Sequence, residues 1–378
     1  MNKKLAIIRS SYRPDGGAER IITRIIMGLK NHYRLDVSII TRQWEKDDSP
    51  DLQVITCPKR GWFRHTKFKH FITDVSALLK QHDFDWVQSH ERIPGCKIYR
   101  AGDGVHKEWL AIRKRGVSSI KAFLWDHSLY HKVVLDAEKR LFSHPELQTV
   151  ICNSTQIKKD ILKHYPKTNP DKLKVIYNGI DLDEFSVKTQ EAKQAARLKL
   201  GIDINAGVLL FVGSGFQRKG LGDLLAALAQ TPQWQLLVVG KDKQTQYYKQ
   251  CCQKLGITGR VSFVGMQRQM SDYYAACDLL VHPALYDPAP NVILEAMASG
   301  RGVVVSTGCG NYDLVVEDEE SRSGFVYPSG DVAALIKILH LINEELIESI
   351  GTHSRVIAEN YSLSKMVAQL IKNYKGLS

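Results

Sequence analysis

The chain has 378 residues, of which 44% are hydrophobic and 24% charged, and this length and composition suit a globular protein of two domains. No apolar run approaches the roughly 18 residues of a membrane helix, and no cleavage site follows the opening MNKKLAIIRS, so we expect neither a membrane span nor a signal peptide. Seven cysteines without a CxxC spacing exclude a complete set of intrachain disulfides and predict reduced thiols in the cytoplasm, with no metal site.

Alternating strands and helices are predicted along the first half. The chain begins with a strand in KLAIIRSSY, turns at two glycines and continues as a helix with apolar residues at helical spacing. Further strands are predicted in LDVSIIT, DLQVITC, FDWVQSH, LQTVICNS and LKVIYNGID, with helical patterns near 66–81 and 117–144. This alternation is typical of βαβ units in a parallel sheet.

The same order starts again at residue 207. Strands are predicted in GVLLFVGSG, WQLLVVG, VSFVG, LLVHPA and GVVVST, with helices over 220–230, 271–277 and 292–300 and a helical stretch over 333–375. The predicted fold class is α/β, with two doubly wound, Rossmann-like domains that face each other across a cleft. Open α/β sheets bind ligands at the carboxyl ends of their strands.

The domain boundaries follow from the polar segment 181–203, which separates the two halves. We predict an N-terminal domain over 1–180 and a C-terminal domain over 181–355. A C-terminal helix over 356–378 is expected to pack back on the N-terminal domain.

The net charge of +12 lies in the first half of the chain. Residues 1–180 contain 33 Lys and Arg against 19 Asp and Glu, a balance of +14, whereas residues 181–378 contain 19 against 21, a balance of −2. The first half is therefore expected to meet an anionic partner, such as a membrane surface, a phosphorylated acceptor or a nucleic acid.

Two glycine turns are candidate anion sites, because a glycine turn before a helix exposes backbone N–H groups. The first, RPDGGAER, contains Gly16 and Gly17; a plain turn is the alternative interpretation. The second, GSGFQRKG, contains Gly215 and is followed by Arg218 and Lys219. Cations oppose the helix dipole at this position unless an anion intervenes, which favours a phosphate site over a solvated helix start.

The stretch HPALYDPAPNVILEAMASG carries two carboxylates, Asp287 and Glu295, separated by seven residues. Two prolines hold the segment extended and a helix is predicted to begin near Asn291, so free N–H groups near Asn291 and Val292 lie between the two acids. This arrangement suits a nucleotide sugar. The alternative is a helix-capping carboxylate followed by a solvated helix glutamate.

The stretch SHERIPGCKIYRAGDGVHKEW, residues 89–109, concentrates polar side chains after a predicted strand. Histidine or aspartate at such a position can hold an acceptor hydroxyl, although each residue alone is equally well explained as an ordinary loop side chain. The candidates are His90, Arg92, Asp103 and His106.

These motifs resemble those of the retaining, GT-B-fold glycosyltransferases of family 4, also called group 1, over essentially the whole chain. GGAER resembles the family's glycine loop, GSGFQRKG its diphosphate site, and Asp287 to Glu295 its E-x7-E signature with Asp as the first acid. ERIPGCKIYRAGDGVH, GSGFQRKG and VVGKDK are together similar to the bacterial enzymes that add a hexose or hexuronic acid to a heptose of the lipopolysaccharide inner core.

The resemblance implies that the N-terminal domain over 1–180 binds the acceptor and that the C-terminal domain over 181–355 binds the nucleotide sugar. It also implies a role for each position. Gly16, Gly17 and Gly215 would lie against the donor, and Arg218 and Lys219 would neutralise the leaving diphosphate. The donor sugar would contact Asp287 and the amides of Asn291 and Val292, and Glu295 would hold the ribose. The acceptor would contact Glu19, His90, Arg92, Asp103 and His106, with Asp103, Arg218, Lys219 and Asp287 as the catalytic set. The implied reaction uses UDP-sugar as co-substrate and needs neither a metal nor another cofactor.

Two basic segments with aromatic residues, 58–71 and 107–125, suit an anionic membrane surface. The implied location is the cytoplasmic face of the inner membrane, with a phosphorylated, heptose-containing acceptor; a solvated basic face is the alternative. The remaining hypotheses are a transferase for another cell-envelope glycan or glycolipid, and a basic nucleic-acid-binding protein, for which no recognition motif is present.

Overall fold

The computed structural model describes residues 3–12, 17–33, 35–44, 53–115 and 118–377. The chain divides into two units, the first made of Met1–Asn178 with Leu363–Ser378 and the second of Gly179–Ser362.

The first unit is an α/β unit. Its elements are β1 (Lys3–Ile8), β2 (Ser11–Tyr12), α1 (Gly17–His32), β3 (Leu35–Thr41), β4 (Gln43–Trp44), β5 (Gln53–Thr56), α2 (Arg64–Leu79), β6 (Trp86–Ser89), β7 (Ile98–Arg100), α3 (His106–Arg113), α4 (Ser119–Asp126), α5 (Leu129–Phe142), β8 (Thr149–Cys152), α6 (Thr155–His164) and β9 (Leu173–Val175).

Seven of these strands form a parallel sheet in the order β5-β3-β1-β6-β7-β8-β9, while β2 and β4 pair separately. Successive residues of β1 enter opposite cores, since strand side chains alternate in direction. Leu5 and Ile7 pack with α1, and Ala6 and Ile8 pack with Phe71 of α2. The sheet is therefore covered by helices on both faces, as the sequence predicted.

The second unit repeats this architecture with different connections. Its elements are α7 (Gln190–Lys199), β10 (Gly207–Val212), α8 (Leu221–Ala229), β11 (Trp234–Val239), α9 (Thr245–Lys254), β12 (Val261–Gly265), α10 (Ser271–Ala276), β13 (Leu279–His282), α11 (Asn291–Ala298), β14 (Gly302–Ser306), β15 (Gly324–Tyr327), α12 (Val332–Leu341) and α13 (Glu344–Glu359). Its six strands are parallel in the order β12-β11-β10-β13-β14-β15.

The last helix, α14 (Leu363–Lys375), belongs to the first unit. Its buried residues Val367, Leu370 and Tyr374 join the core that contains β1 and α1. The indole of Trp86 lies 5.5 Å from the ring of Tyr374, measured between centroids. Apolar burial therefore attaches the end of the chain to the first sheet.

Three stretches differ from the predicted elements. The stretch 89–109, predicted as a loop, contains the interior strand β7, so part of its polar density belongs to a buried strand. The predicted helix over 117–144 is interrupted at Ser128, whose extended backbone separates α4 from α5. The helical stretch 333–375 is three helices, α12, α13 and α14.

Within the described ranges, no helix has both the length and the apolar composition that a membrane crossing requires.

Candidate functional site

The turn after β10 is shaped by glycines. Gly213, Gly215 and Gly220 have φ values of +139°, +79° and +73°, a region that other residues rarely adopt. A Cβ atom on Gly213 would lie within 2.7 Å of the Lys219 side chain, and one on Gly220 would lie 1.9 Å from the carbonyl oxygen of Pro283. Glycine at these positions therefore allows the Lys219 side chain and the neighbouring turn to pack against the backbone.

Arg218, Lys219 and Asp287 meet at the carboxyl ends of the adjacent strands β10 and β13. Lys219 Nζ lies 3.0 Å from Asp287 Oδ2, and Arg218 Nη1 lies 3.6 Å from Asp287 Oδ1. The Arg218 guanidinium also donates to the carbonyl oxygen of Tyr286 at 2.7 Å. Three of the predicted donor-site residues thus form one charged cluster.

His282 contacts Asp287 of this cluster and is fully buried. Its Nε2 is 3.1 Å from Asp287 Oδ2, and its ring stacks on that of Phe211. Burial, assisted by the charge of Lys219, lowers the pKa of His282 to about 4, so the imidazole is neutral at neutral pH. Burial alone would raise the pKa of Asp287, but Lys219, Arg218 and the His282 contact hold it well below its usual range. Asp287 is therefore a carboxylate.

The loop after β14 fixes the backbone of Asp287. The Asp287 amide donates to the Gly308 carbonyl at 2.8 Å, and the Gly310 amide donates to the Asp287 carbonyl at 2.7 Å. Asn311 donates to the carbonyl oxygen of Pro290, the residue before α11. These bonds fix the backbone of Asp287, so only its side chain is free to change its contacts when a ligand binds.

Helix α11 begins at Asn291, as predicted, and Asn291 and Val292 are half-buried in its first turn. Glu295 lies one turn further and is 6% exposed. Its Oε2 accepts a hydrogen bond from the Tyr274 hydroxyl at 2.8 Å. Tyr274 is on α10, so a buried phenol from a neighbouring helix sets the position of this carboxylate.

In the first unit, Asp103 lies beside the ends of β1 and β6. Arg9 donates to Asp103 Oδ2 at 2.8 Å, and Glu91 accepts from the amide and hydroxyl of Ser10. Partial desolvation would raise the pKa of Asp103, but the charge and hydrogen bond of Arg9 lower it, so Asp103 is ionised at neutral pH. Its side chain is 37% exposed and can meet a ligand.

Arg92 is buried and supports the loop that carries Asp103. Its Nε donates to Glu138 at 2.8 Å and its Nη2 donates to the Gly104 carbonyl at 2.8 Å. His90 is 6% exposed, and its Nε2 lies 2.8 Å from Gln88 Nε2. These two residues are thus engaged within the unit, and contact of either with an acceptor stays a prediction.

His106, the first residue of α3, is half-buried and pairs with His131, whose Nδ1 lies 3.0 Å from His106 Nε2. Burial and the charge of Arg92 lower the pKa of His106 to about 4.

Of the first glycine turn, Gly16 lies outside the described residues. Gly17 begins α1 and Glu19 follows in its first turn. The side chain of Glu19 is not among those that the structure describes.

Sequence reasoning missed three residues that organise these sites. His282 stands five residues before Asp287, at the end of the predicted strand LLVHPA, and this position was a usable signal. Tyr274 and Glu138 come from helices far along the chain from their partners and carry no local signal. In the described ranges, no group of three or more His, Cys, Asp or Glu side chains could hold a metal ion; metal independence stays a prediction.

Comparison with known proteins covers both units. The family described as Glycosyltransferase Family 4 matches residues 15–184, and the family described as Glycosyl transferases group 1 matches residues 192–360. Lipopolysaccharide glucosyltransferase WaaG of Escherichia coli (strain K12) is 29% identical over 307 residues, which are 79% of each chain.

Solved structures give the same result. The crystal structure of WaaG, a glycosyltransferase involved in lipopolysaccharide biosynthesis, matches with a TM-score of 0.84 and 26% identity, covering 98% of this chain and 100% of the other. Anabaena Alr3699/HepE in complex with UDP-glucose matches with a TM-score of 0.74 and 21% identity over 99% of both chains, a likeness of fold.

Proposed function

From a chain that belongs to the GT-B glycosyltransferases, with a family 4 domain followed by a group 1 domain, we propose a retaining transfer of a hexose or hexuronic acid from a UDP-sugar to a heptose of the lipopolysaccharide inner core. The similarity to WaaG over 79% of the chain supports the lipopolysaccharide pathway. The HepE complex with UDP-glucose supports UDP as the nucleotide.

The cluster of Arg218, Lys219 and Asp287 carries the proposal for the donor. The planar guanidinium and the ammonium would bind the two phosphates, and they would stabilise the negative charge that develops as the diphosphate leaves. Asp287 would accept hydrogen bonds from hydroxyls of the donor sugar, and Glu295 would accept them from the ribose. The two cations supply the positive charge that a metal supplies elsewhere, which is the basis for metal independence.

The acceptor is proposed to bind to the first unit beside Asp103. Arg9 keeps this carboxylate ionised, so it can accept a hydrogen bond from the attacking hydroxyl and orient its oxygen. That oxygen forms the new bond to the anomeric carbon on the face from which the diphosphate leaves. Attack on this face retains the anomeric configuration. The hydroxyl proton passes to the leaving phosphate oxygen, which balances the charge.

Peripheral binding to the cytoplasmic face of the inner membrane is proposed from exposed aromatic and aliphatic side chains on the first unit. Trp62 is 94% exposed and Phe63 69% exposed, in the basic segment 58–71. Phe123 and Leu124 are exposed in the segment 107–125. Apolar side chains beside lysines and arginines are the composition of interfacial binding surfaces.

Calorimetry without added metal tests the donor site. We expect UDP to bind, and Lys219→Gln to weaken binding about 10- to 100-fold, the effect of losing one charge-assisted contact. Lys337→Gln, which removes an exposed lysine on α12 of the same unit, is the matched control and should bind UDP normally. Failure of the wild-type protein to bind UDP would overturn the proposed donor.

Titration with UDP-glucose, UDP-galacturonic acid and UDP-N-acetylglucosamine then identifies the sugar, since only the preferred donor should bind more tightly than UDP.

Vesicle sedimentation tests the proposed membrane-binding surface. Replacing Lys59, Arg60, Lys67 and Lys69 by glutamine, with Arg64 retained, should weaken binding to anionic vesicles more than turnover on a soluble acceptor; equal vesicle binding would remove this role.

A further inference from the structure

Four helices of the first unit bring cationic and aromatic side chains together around His131. Arg64 is the first residue of α2, Arg113 is the last of α3, and Tyr130 and His131 lie in the first turn of α5. Trp125, on α4, completes the group. Residues of the two basic segments, 58–71 and 107–125, therefore come together beside His131, which lies outside both segments.

Both guanidiniums are held by stacking on aromatic rings. Arg64 Cζ lies 4.2 Å from the ring centroid of Tyr130, and Arg113 Cζ lies 4.1 Å from that of Trp125. In the part of the chain that the structure describes, neither guanidinium donates to a protein acceptor or pairs with a carboxylate. Stacking fixes the plane of a guanidinium and leaves the N–H donors at its edge for a ligand.

The charges around His131 are of one sign. Burial lowers its pKa, and Arg113, Arg64 and Lys114 lower it further. Asp126, which follows Trp125 on α4, is paired with Lys114. The site thus has a positive potential and donors without protein acceptors, which is the arrangement that binds an oxyanion.

A hydrogen bond connects the site to the loop of Asp103. His106 lies three residues after Asp103, and its Nε2 is 3.0 Å from His131 Nδ1. A membrane surface would instead contact the exposed Trp62 and Phe63, which precede Arg64 in the chain. The connection favours a group on the acceptor over a headgroup.

We propose that Arg64, Arg113 and His131 form an oxyanion-binding site that takes a phosphate monoester carried by the acceptor. The proposal rests on the proposed function only for the identity of the molecule that carries the phosphate. The two guanidiniums donate to the phosphate oxygens from their edges, and the His131 ring donates one further hydrogen bond. An anion bound here anchors the acceptor while Asp103 orients its hydroxyl.

Calorimetry with inorganic phosphate and with a soluble sugar monophosphate, in the presence of saturating UDP to occupy the cluster of Arg218 and Lys219, tests the site. The double variant Arg64→Gln, Arg113→Gln should bind both probes at least about tenfold more weakly than wild type, because two charge-assisted contacts are lost. The matched control, Lys67→Gln with Arg115→Gln, removes the same charge from exposed positions of the same two segments and should bind both probes normally.

Arg64→Lys separates the fork geometry from the charge. It keeps the positive charge but loses the planar, stacked donor pair, so phosphate affinity should fall while binding to phosphatidylglycerol vesicles is unchanged. Equal phosphate affinity in wild type, the double variant and its control would overturn the proposal. A difference between the two double variants in vesicle binding alone would also overturn it, because the site would then bind headgroups.

Titration with UDP in the same variants distinguishes failure of this inference from failure of the proposed function. All variants should bind UDP as wild type does, since Arg64 and Arg113 belong to the first unit and the donor cluster to the second. If the wild type binds phosphate through the stacked arginines but binds no UDP, the oxyanion site stands and the transferase proposal fails.

Discussion

Replacing Glu138 by glutamine removes a buried carboxylate that organises the loop of Asp103. Glu138 is fully buried, and its oxygens accept from Arg92 Nε at 2.8 Å, the His106 amide at 2.8 Å, the Lys107 amide at 3.2 Å and the Tyr165 hydroxyl at 2.7 Å. The two amides are those at the start of α3. One side chain thus neutralises a buried guanidinium and caps a helix.

The expected loss of stability is about 3–5 kcal/mol, the cost of removing one partner of a buried ion pair. Glutamine retains one acceptor oxygen, so part of the capping survives, but the charge that balances Arg92 is lost. The variant Arg92→Met, Glu138→Gln removes both charges and keeps one acceptor oxygen for the amides of α3, so it should recover most of the loss.

The loss should depend on pH in a direction set by the pKa of Glu138. Burial would raise this pKa, but Arg92 and the hydrogen bonds lower it below the usual value. A carboxylate with a lowered folded-state pKa contributes stability above its unfolded pKa and loses it as the pH falls through the folded value. The difference between wild type and Glu138→Gln should therefore be full at neutral pH and shrink only below about pH 4.

Native-state hydrogen exchange measures this effect without requiring the two units to unfold together. Amides of β6, β7 and α3 should exchange faster in Glu138→Gln, and amides of the second unit should be unchanged. Glu146→Gln, at an exposed position soon after α5, is the control. A change below about 1 kcal/mol at pH 7, or equal acceleration in both units, would refute the reasoning.

Three further results are expected from single substitutions. Tyr274→Phe removes a hydrogen bond to buried Glu295, so KM for the UDP-sugar should rise about tenfold with kcat little changed; an unaltered KM would show that the phenol does not position this carboxylate. Gly220→Ala places a Cβ 1.9 Å from a backbone oxygen at φ +73°, so the melting temperature and UDP affinity should both fall, and retention of both would mean that the turn adapts freely. Asp103→Asn should reduce turnover at least about 100-fold while UDP still binds, since only orientation of the acceptor is affected, and full turnover would exclude Asp103 from the reaction.

The fold was predictable where elements are long and apolar. β3 and β12 occupy the predicted segments LDVSIIT and VSFVG without change. β7 was missed because it has three residues and ends in Arg100, which is 2% exposed. A charged residue in a buried three-residue strand gives no periodic signal, and only the neighbouring strands β6 and β8 determine that this segment joins the sheet.

The clustering of Lys219 and Asp287 was predictable because the topology of the sheet concentrates these residues. Lys219 follows β10 and Asp287 follows β13, and these strands are neighbours in a parallel sheet, so their carboxyl ends share one edge. Glu138 lies 46 residues from its partner Arg92, and the pair depends on how α5 packs against the sheet. Such contacts follow from tertiary packing, which no local pattern encodes.

The ion pairs of Asp287 also bear on the order in which a donor is recognised. One carboxylate has a limited number of lone pairs, and those of Asp287 now face Lys219, Arg218 and His282. A diphosphate brings negative charge for both cations, which would release lone pairs of Asp287 for sugar hydroxyls. Free sugar brings no such charge and would have to compete with the ion pairs. We therefore expect recognition of the sugar to depend on recognition of the diphosphate, so that the nucleotide supplies most of the affinity and the sugar supplies the selectivity.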